Sequence, residues 1–195
     1  MQILETDRLI LRPFYSTDID FLDHLHGDMD VMRYTLGRTR THEENVAYLD
    51  LVMELQEKDG TGPYLVERKS DRHPLGRCGF SHFYGYEKNG NEYFYWESIY
   101  NGPEDERKKS KLEIGYSFTK ESWGHGYATE AALRVRDHGF GDRHYSSLCS
   151  LIMKENTASI RVAERLDFSR RGELFIHDQP ALEYGSTREE WSSFR

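Results

Sequence analysis

The segment from Glu113 to Glu130, EIGYSFTKESWGHGYATE, constrains this chain more than any other. A β-prone run, Leu112 to Phe118, leads into a turn holding Gly124 and Gly126, and an Ala-rich helical pattern follows from Gly126 to His138. A strand that feeds a helix through glycines makes an anion site. The first helix amides have no internal partner, and the helix dipole leaves partial positive charge beside them. Glycine at 124 and 126 permits positive φ and lets a phosphate approach the backbone with no Cβ in the way, while the small Ala128 keeps the entrance open. The same two glycines also suit a plain tight turn, so by themselves they are a weak signal. Thr129 stands where a dinucleotide fingerprint has its third glycine, and no Gly-Lys-Ser/Thr follows, so neither of those nucleotide motifs applies.

Strands and helices alternate around that segment. Arg8 to Phe14 is apolar, β-prone and stopped by Pro13, which predicts a first strand near a sheet edge. Thr17 is placed as the N-cap of a helix that carries Phe21, Leu22 and Leu25 on one face and ends near Gly27. Thr41 and Glu44 have capping-box spacing, and Val46, Leu49, Val52, Met53 and Leu55 recur at helical intervals until Gly60. From Pro63 the period changes to that of strands: Tyr64 to Glu67, then Leu75 to Tyr86, joined around Asp71 to Pro74. Asn89-Gly90 predicts a tight hairpin into Glu92 to Tyr100, an extra β-hairpin arm. Asn101 to Lys111 reads as a solvated loop, so residues 86–111 form a hairpin and loop insertion. Tyr145 to Met153 is then a strand, Asn156 to Leu166 a helix, and Phe168 to Ile176 and Ala181 to Arg188 are strands. This order specifies a mixed α/β (α+β) fold. A length of 195 residues, against about 150 per domain, predicts one domain over 1–195.

Composition narrows the function. Hydrophobic residues make up 37%, aromatic residues 13% and charged residues 31%, as expected of a folded, water-soluble chain. The longest apolar run, Tyr93 to Trp96, is far below the roughly 18 residues of a membrane span, and the N-terminus lacks a signal-peptide pattern, so a cytoplasmic protein without a membrane partner is expected. The formal charge is 26 − 34 = −8, which disfavours nucleic acid and tilts toward cationic partners such as amines. Cys78 and Cys149 lie far apart without a CxxC, and among the nine histidines none forms an HExxH, so no metal is expected. Gly115 to Thr119 misses the serine-hydrolase elbow at its last position. Tyr93 to Trp96 fits a half-buried hairpin by its alternation, with ligand stacking or a homodimer contact as the other readings.

WGHGYATEA, Trp123 to Ala131, resembles motif A of the GCN5-related N-acetyltransferases (GNAT), in the ribosomal-protein N-terminal acetyltransferase (RimJ/RimL-like) branch. TDRLILRPF at Thr6 to Phe14 is similar to that branch's opening strand, EIGYSF at Glu113 to Phe118 to its fourth strand, and ENTASIRVAERLDF at Glu155 to Phe168 to its late helix. YGSTREEW at Tyr184 to Trp191 is similar to its closing strand. The resemblance implies a mixed, splayed sheet flanked by helices that binds acetyl-CoA as cosubstrate. It implies that the amides of Gly124, His125, Gly126, Tyr127, Ala128 and Thr129 hold the pyrophosphate, with the His125 side chain turned to solvent. It also implies that the strand edge Tyr116, Ser117 and Phe118 binds the pantetheine arm and acetyl carbonyl, and that Asn156 touches the cosubstrate. Three departures stand out. Glu121 replaces a usual Gln or Arg, Asp167 replaces a usual Gly before Phe168, and 86–111 is longer than in many relatives.

Acetyl transfer to an amine requires removal of a proton from an ammonium, stabilisation of an oxyanion and protonation of a thiolate. Glu113 is placed like the general base of many relatives; the other reading is an exposed strand acid paired with Lys or Arg. The late-helix Tyr that many relatives use as acid is Ala163 here, which turns attention to Ser159. That residue lies three positions after Asn156 and on the same side of the helix. The other reading makes Asn156 an N-cap and Ser159 an ordinary first-turn residue. A backbone N–H at Ser117 or Phe118 would meet the oxyanion. The expected partner is an amine acceptor, either a protein N-terminus or a small molecule. An acyl-CoA-binding module without catalysis is the alternative.

Overall fold

The computed structural model describes residues 1–96 and 109–193. The chain forms two compact units, each built from two stretches of sequence: Met1–Gly79 with Gly115–Val135, and Phe80–Ile114 with Arg136–Arg195.

In the first unit, β1 (Leu4–Glu5), β2 (Leu9–Arg12) and β3 (Gly62–Arg68) pair antiparallel, with Leu4 opposite Leu11 and Leu11 opposite Val66. Leu9, Leu11, Leu65 and Val66 are fully buried. Three helices follow β2: α1 (Ile19–Gly27), α2 (Met29–Met32) and α3 (His42–Lys58). The capping box at α3 forms as its spacing predicts. Thr41 Oγ1 accepts from Glu44 N at 3.3 Å, and a Glu44 carboxylate oxygen accepts from Thr41 N at 2.9 Å. The apolar side of α3 then sets Leu49 and Val52 against Phe14, Leu22 and Leu65. Thr17 does not cap α1. A 3₁₀ turn over Ser16–Asp18 precedes that helix, and the Asp18 carboxylate accepts from Tyr15 N and from Arg12, each at 2.8 Å. A carboxylate held by an arginine is the stronger acceptor, so the turn organises on Asp18 instead of the hydroxyl.

β4 (Pro74–Lys88) begins in this unit and β6 (Lys109–Phe118) ends in it. A Cβ on Gly76 would lie 2.4 Å from the Ser117 carbonyl oxygen and 2.8 Å from Phe118. Only glycine lets the two backbones come so close, and Thr119 N donates to Leu75 O at 2.9 Å just beyond.

In the second unit β4 continues to the predicted hairpin, where Asn89 (φ 53°) and Gly90 (φ 75°) make the two-residue turn before β5 (Asn91–Trp96). The second strand is not a free arm. It pairs with β4 on one side and, in parallel, with β8 (Ser169–Ile176) on the other, because Phe94 is fully buried among Phe83, Leu151, Leu174 and Ile176. β9 (Gln179–Thr187) lies antiparallel to both β8 and β7 (Ser147–Met153), and β7 meets β6 in parallel with Cys149 opposite Glu113.

β6 starts at Lys109, so Lys109–Lys111, read from sequence as loop, are strand. Both lysines are held in place: Lys109 by Glu87 and Glu92, Lys111 by Glu183 at 2.6 Å. Residues 97–108, the remainder of the expected strand and loop, lie outside the described residues. α4 (Tyr127–Asp137) runs into a π turn over His138–Asp142, and α5 (Thr157–Arg165) ends at Asp167, whose φ of 57° supplies the left-handed stop despite the missing glycine. The last strand, expected to end at Arg188, stops at Thr187, and the rest of the segment that resembled a closing strand is α6 (Arg188–Ser193), where Thr187 Oγ1 caps by accepting from Glu190 N at 3.2 Å. Parallel and antiparallel strand pairs flanked by helices define a mixed α/β fold.

Gly76→Ala is expected to destabilise the protein by about 3 kcal/mol or more, because backbone must move to admit the methyl group. Urea denaturation at neutral pH measures this, and a loss under about 0.5 kcal/mol would contradict the close strand approach.

Candidate active site

Gly124 (φ 77°) and Gly126 (φ 79°) both adopt the left-handed backbone that the turn into α4 requires. No heavy atom lies within 4 Å of a Cβ placed on Gly124, so the turn is open on that side. The first helical hydrogen bond runs from Glu130 N to Gly126 O at 3.1 Å. The amides of Tyr127, Ala128 and Thr129 therefore precede the helix's own bonding and carry its positive end. His125 is exposed. Its Nδ1 donates to Trp123 O at 2.8 Å, and its ring stacks on Tyr127 with centroids 5.6 Å apart. Glu121 is exposed on the turn before this loop.

Arg8 and Glu130 hold the turn in place, and neither role was read from the sequence. Glu130 accepts from Thr6 Oγ1 at 2.5 Å, Arg8 N at 3.1 Å and Arg8 Nε at 2.6 Å. Arg8 also donates to the His125 carbonyl at 3.0 Å and lies over the Tyr127 ring at 4.7 Å. Burial works to raise the Glu130 pKa, but the bonds from Thr6 and Arg8 outweigh it and hold the carboxylate below its ordinary value.

Strand alternation sorts the donors at the end of β6. Thr119 N points at β4, so Ser117, two residues earlier, directs its backbone polar groups the same way. Tyr116 and Phe118 turn theirs to the opposite edge, where the Phe118 carbonyl accepts from Trp123 Nε1 at 2.9 Å. Of the two amides expected to meet an oxyanion, only that of Phe118 faces away from β4.

In the second unit Glu113 is half-buried, and its Oε1 accepts from Leu151 N at 3.1 Å. It is thus less exposed than the alternative reading supposed. Burial first, and then the charges of Glu113 and Glu183, push the neighbouring Cys149 thiol far up, so it stays protonated and is no nucleophile. Asn156 is the N-cap of α5: its Oδ1 accepts from Ser159 N at 3.1 Å. Its Nδ2 has no partner among the described residues and remains a donor. Ser159 is half-buried in the first turn of the same helix. The described residues hold no group of three or more His, Cys, Asp or Glu placed to bind a metal, and no described helix is long and apolar enough to cross a membrane.

Residues 8–169 match the acetyltransferase (GNAT) domain family, and the chain belongs to that family. It is similar to the Bacillus subtilis (strain 168) protein YkkB, with 30% identity over 84% of this chain and 83% of that protein. It is also similar to the N-acetyltransferase YoaA of the same organism, with 27% identity over 88% and 85%. Its fold matches that of an acetyltransferase from Bacillus anthracis (TM-score 0.72, 21% identity, 97% of this chain and 100% of that one). It also matches RimL, the ribosomal L7/L12 alpha-N-protein acetyltransferase, in complex with coenzyme A (TM-score 0.71, 16% identity, 95% and 98%).

A carboxylate whose folded pKa lies below its unfolded value stabilises a fold above the unfolded pKa, and the contribution fades as pH falls through the folded value. Glu130→Gln is therefore expected to cost about 1–2 kcal/mol at pH 7, with the gap to the parent closing below about pH 4. Denaturant titrations across that range check it, and a gap independent of pH would contradict the ionic role.

Proposed function

We propose that the protein transfers the acetyl group of acetyl-CoA to a primary amine by direct attack within a ternary complex, acting in the cytoplasm. The observation that carries this reading is the open Gly124–Gly126 turn at the N-terminus of α4, in a chain that belongs to the acetyltransferase family. The coenzyme A bound to RimL, of the same fold, supports the choice of cosubstrate. The turn suits a pyrophosphate because oriented amides and a helix dipole stabilise anions without a dedicated side chain.

Acetyl-CoA supplies an activated thioester; the chain's own groups supply the rest. The amides from Gly124 to Thr129 hold the pyrophosphate, and the β6 edge at Tyr116 to Phe118, with Asn156 Nδ2, positions the remainder. Glu113 removes a proton from the ammonium, directly or through a water, so that the amine lone pair attacks the carbonyl carbon. The Phe118 N–H stabilises the oxyanion of the tetrahedral intermediate. As the carbon–sulfur bond breaks, the leaving thiolate takes a proton through the Ser159 hydroxyl, which recovers one from the nitrogen of the tetrahedral intermediate. The acceptor is a protein N-terminus or a small-molecule amine.

Calorimetric titration of acetyl-CoA is expected to show micromolar binding that Gly126→Asp abolishes through charge and bulk, with circular dichroism confirming that the variant folds. Absence of binding at millimolar cosubstrate would overturn the reading. Glu113→Gln should lower kcat by about 10² and remove the acidic limb of the pH–rate profile; an unchanged profile would remove Glu113 from proton transfer. Ser159→Ala is expected to lower kcat about tenfold or more with little change in acetyl-CoA affinity.

A further inference from the structure

In the first unit, Arg40 and Arg77 both lie over the ring of Tyr48 on α3, at 4.8 and 5.5 Å, and His26 of α1 meets that ring edge-on at 5.3 Å. Arg40 is anchored beside His26 by its own backbone, which donates to the His26 carbonyl at 3.1 Å. Neither guanidinium makes an ion pair or side-chain hydrogen bond with a described residue, and the Nε of each is buried without a partner. The acids nearby are committed elsewhere. Glu44 is taken by Arg38 at 2.7 and 2.8 Å and by Thr41 N, and Asp23 by His42 at 2.7 Å and Asn45 at 2.8 Å.

His26 is fully buried and fixed in one tautomer. Asn45 spends its Nδ2 on Asp23, so its Oδ1 accepts from His26 Nδ1 at 2.7 Å and leaves His26 Nε2 as a lone pair with no partner. Burial, then the charge of Arg77, lowers the His26 pKa to about 3, so the ring adds no positive charge beside the two guanidinium groups. Two half-buried cations without a carboxylate are costly to hold unless a counter-charge arrives. The contrast within the same unit is direct, for Arg12 is matched by both Asp18 and Glu67.

We propose that Arg40, Arg77 and Tyr48 form a cradle for an anionic group, a carboxylate or a phosphate, carried by the amine acceptor. Guanidinium forks bind such groups through paired charge-assisted hydrogen bonds, and the Tyr48 ring lies beneath both of them. Arg77 follows Gly76, the residue whose backbone touches Ser117 and Phe118, so the cradle stands one strand from the edge assigned to the acetyl group. The assignment to the acceptor rests on the acetyl-transfer reading; the anion site itself does not.

Two measurements on the full chain separate the two. In ¹⁵N NMR the Arg40 and Arg77 Nε–H signals, assigned from R40Q and R77Q, are followed during titration with inorganic phosphate and with glutarate. Both are expected to shift and saturate by about 10 mM, and the remaining signal in each variant to stop responding. Linear drift without saturation would overturn the cradle, whatever the enzyme acetylates. Thiol release is then compared for two N-terminal glycine dipeptide amides that differ only in bearing glutamate or glutamine. A preference of about tenfold or more in kcat/KM for glutamate, lost in R77Q with acetyl-CoA affinity unchanged, supports the acceptor assignment. A tenfold loss of acetyl-CoA affinity in R77Q would overturn it and give the cradle to a cosubstrate phosphate. Saturating shifts with neither peptide acetylated would confirm the anion site while counting against this acceptor class.

Discussion

One carboxylate ties the start of the chain to the helix on which the proposed cosubstrate site stands. Glu130 gathers a hydroxyl, a backbone amide and a guanidinium from Thr6 and Arg8, and Arg8 passes on to the carbonyl of His125 inside the glycine turn. Two glycines with positive φ are flexible by nature, and a flexible turn makes a poor anion site because its amides must be oriented before the ligand arrives. The Arg8–Glu130 pair removes that freedom from outside the turn and leaves the space above Gly124 clear. Orientation is supplied by residues more than a hundred positions apart in sequence, while the binding atoms are backbone.

Two partly buried arginines are closely matched by acids. Arg12 sits between Asp18 and Glu67, and Arg136 donates to Asp137, Asp167 and the Leu166 carbonyl. In each case a partly buried cation is neutralised by an acid fixed in the same unit. Arg40 and Arg77 break that pattern. The chain has a surplus of acids, with 34 against 26 bases, so the lack of a carboxylate partner for them among the described residues is a matter of placement and not of supply. A charge left unmatched in a half-buried position weakens the fold, and such a departure from local consistency is what a binding site requires.

Much of this was legible in the sequence because local physics dictated it. The capping box at Thr41 and Glu44, the Asn89-Gly90 hairpin and the glycine turn before α4 all act over two to four residues, and each formed as its spacing predicted. Thr17 failed as a cap because the better acceptor, Asp18, is held by Arg12, a strand residue whose side chain periodicity says nothing about. The free hairpin arm became an inner strand because Phe94 finds β8, about eighty positions later. Within the site, sequence could name Ser117 and Phe118 together but not say which amide faces which edge, since register is set by a partner strand. Arg8, Arg40 and Arg77 were invisible as a class: a lone arginine carries no periodic signal, and its role depends on which acids the fold brings near it.

Neither compact unit is a continuous piece of chain, since strands β4 and β6 and helix α4 each pass from one to the other. No single cut in the gene can therefore yield either unit alone. A fragment ending at Gly79 lacks the helix that bears the proposed anion site, and one beginning at Phe80 carries that helix without the strand that supplies Arg8. Shuffling by exchange of contiguous segments is closed to such a chain, and variation must enter through point substitutions and loop lengths. A split-protein reporter built on this scaffold would regain the turn beneath α4 only when both halves are present.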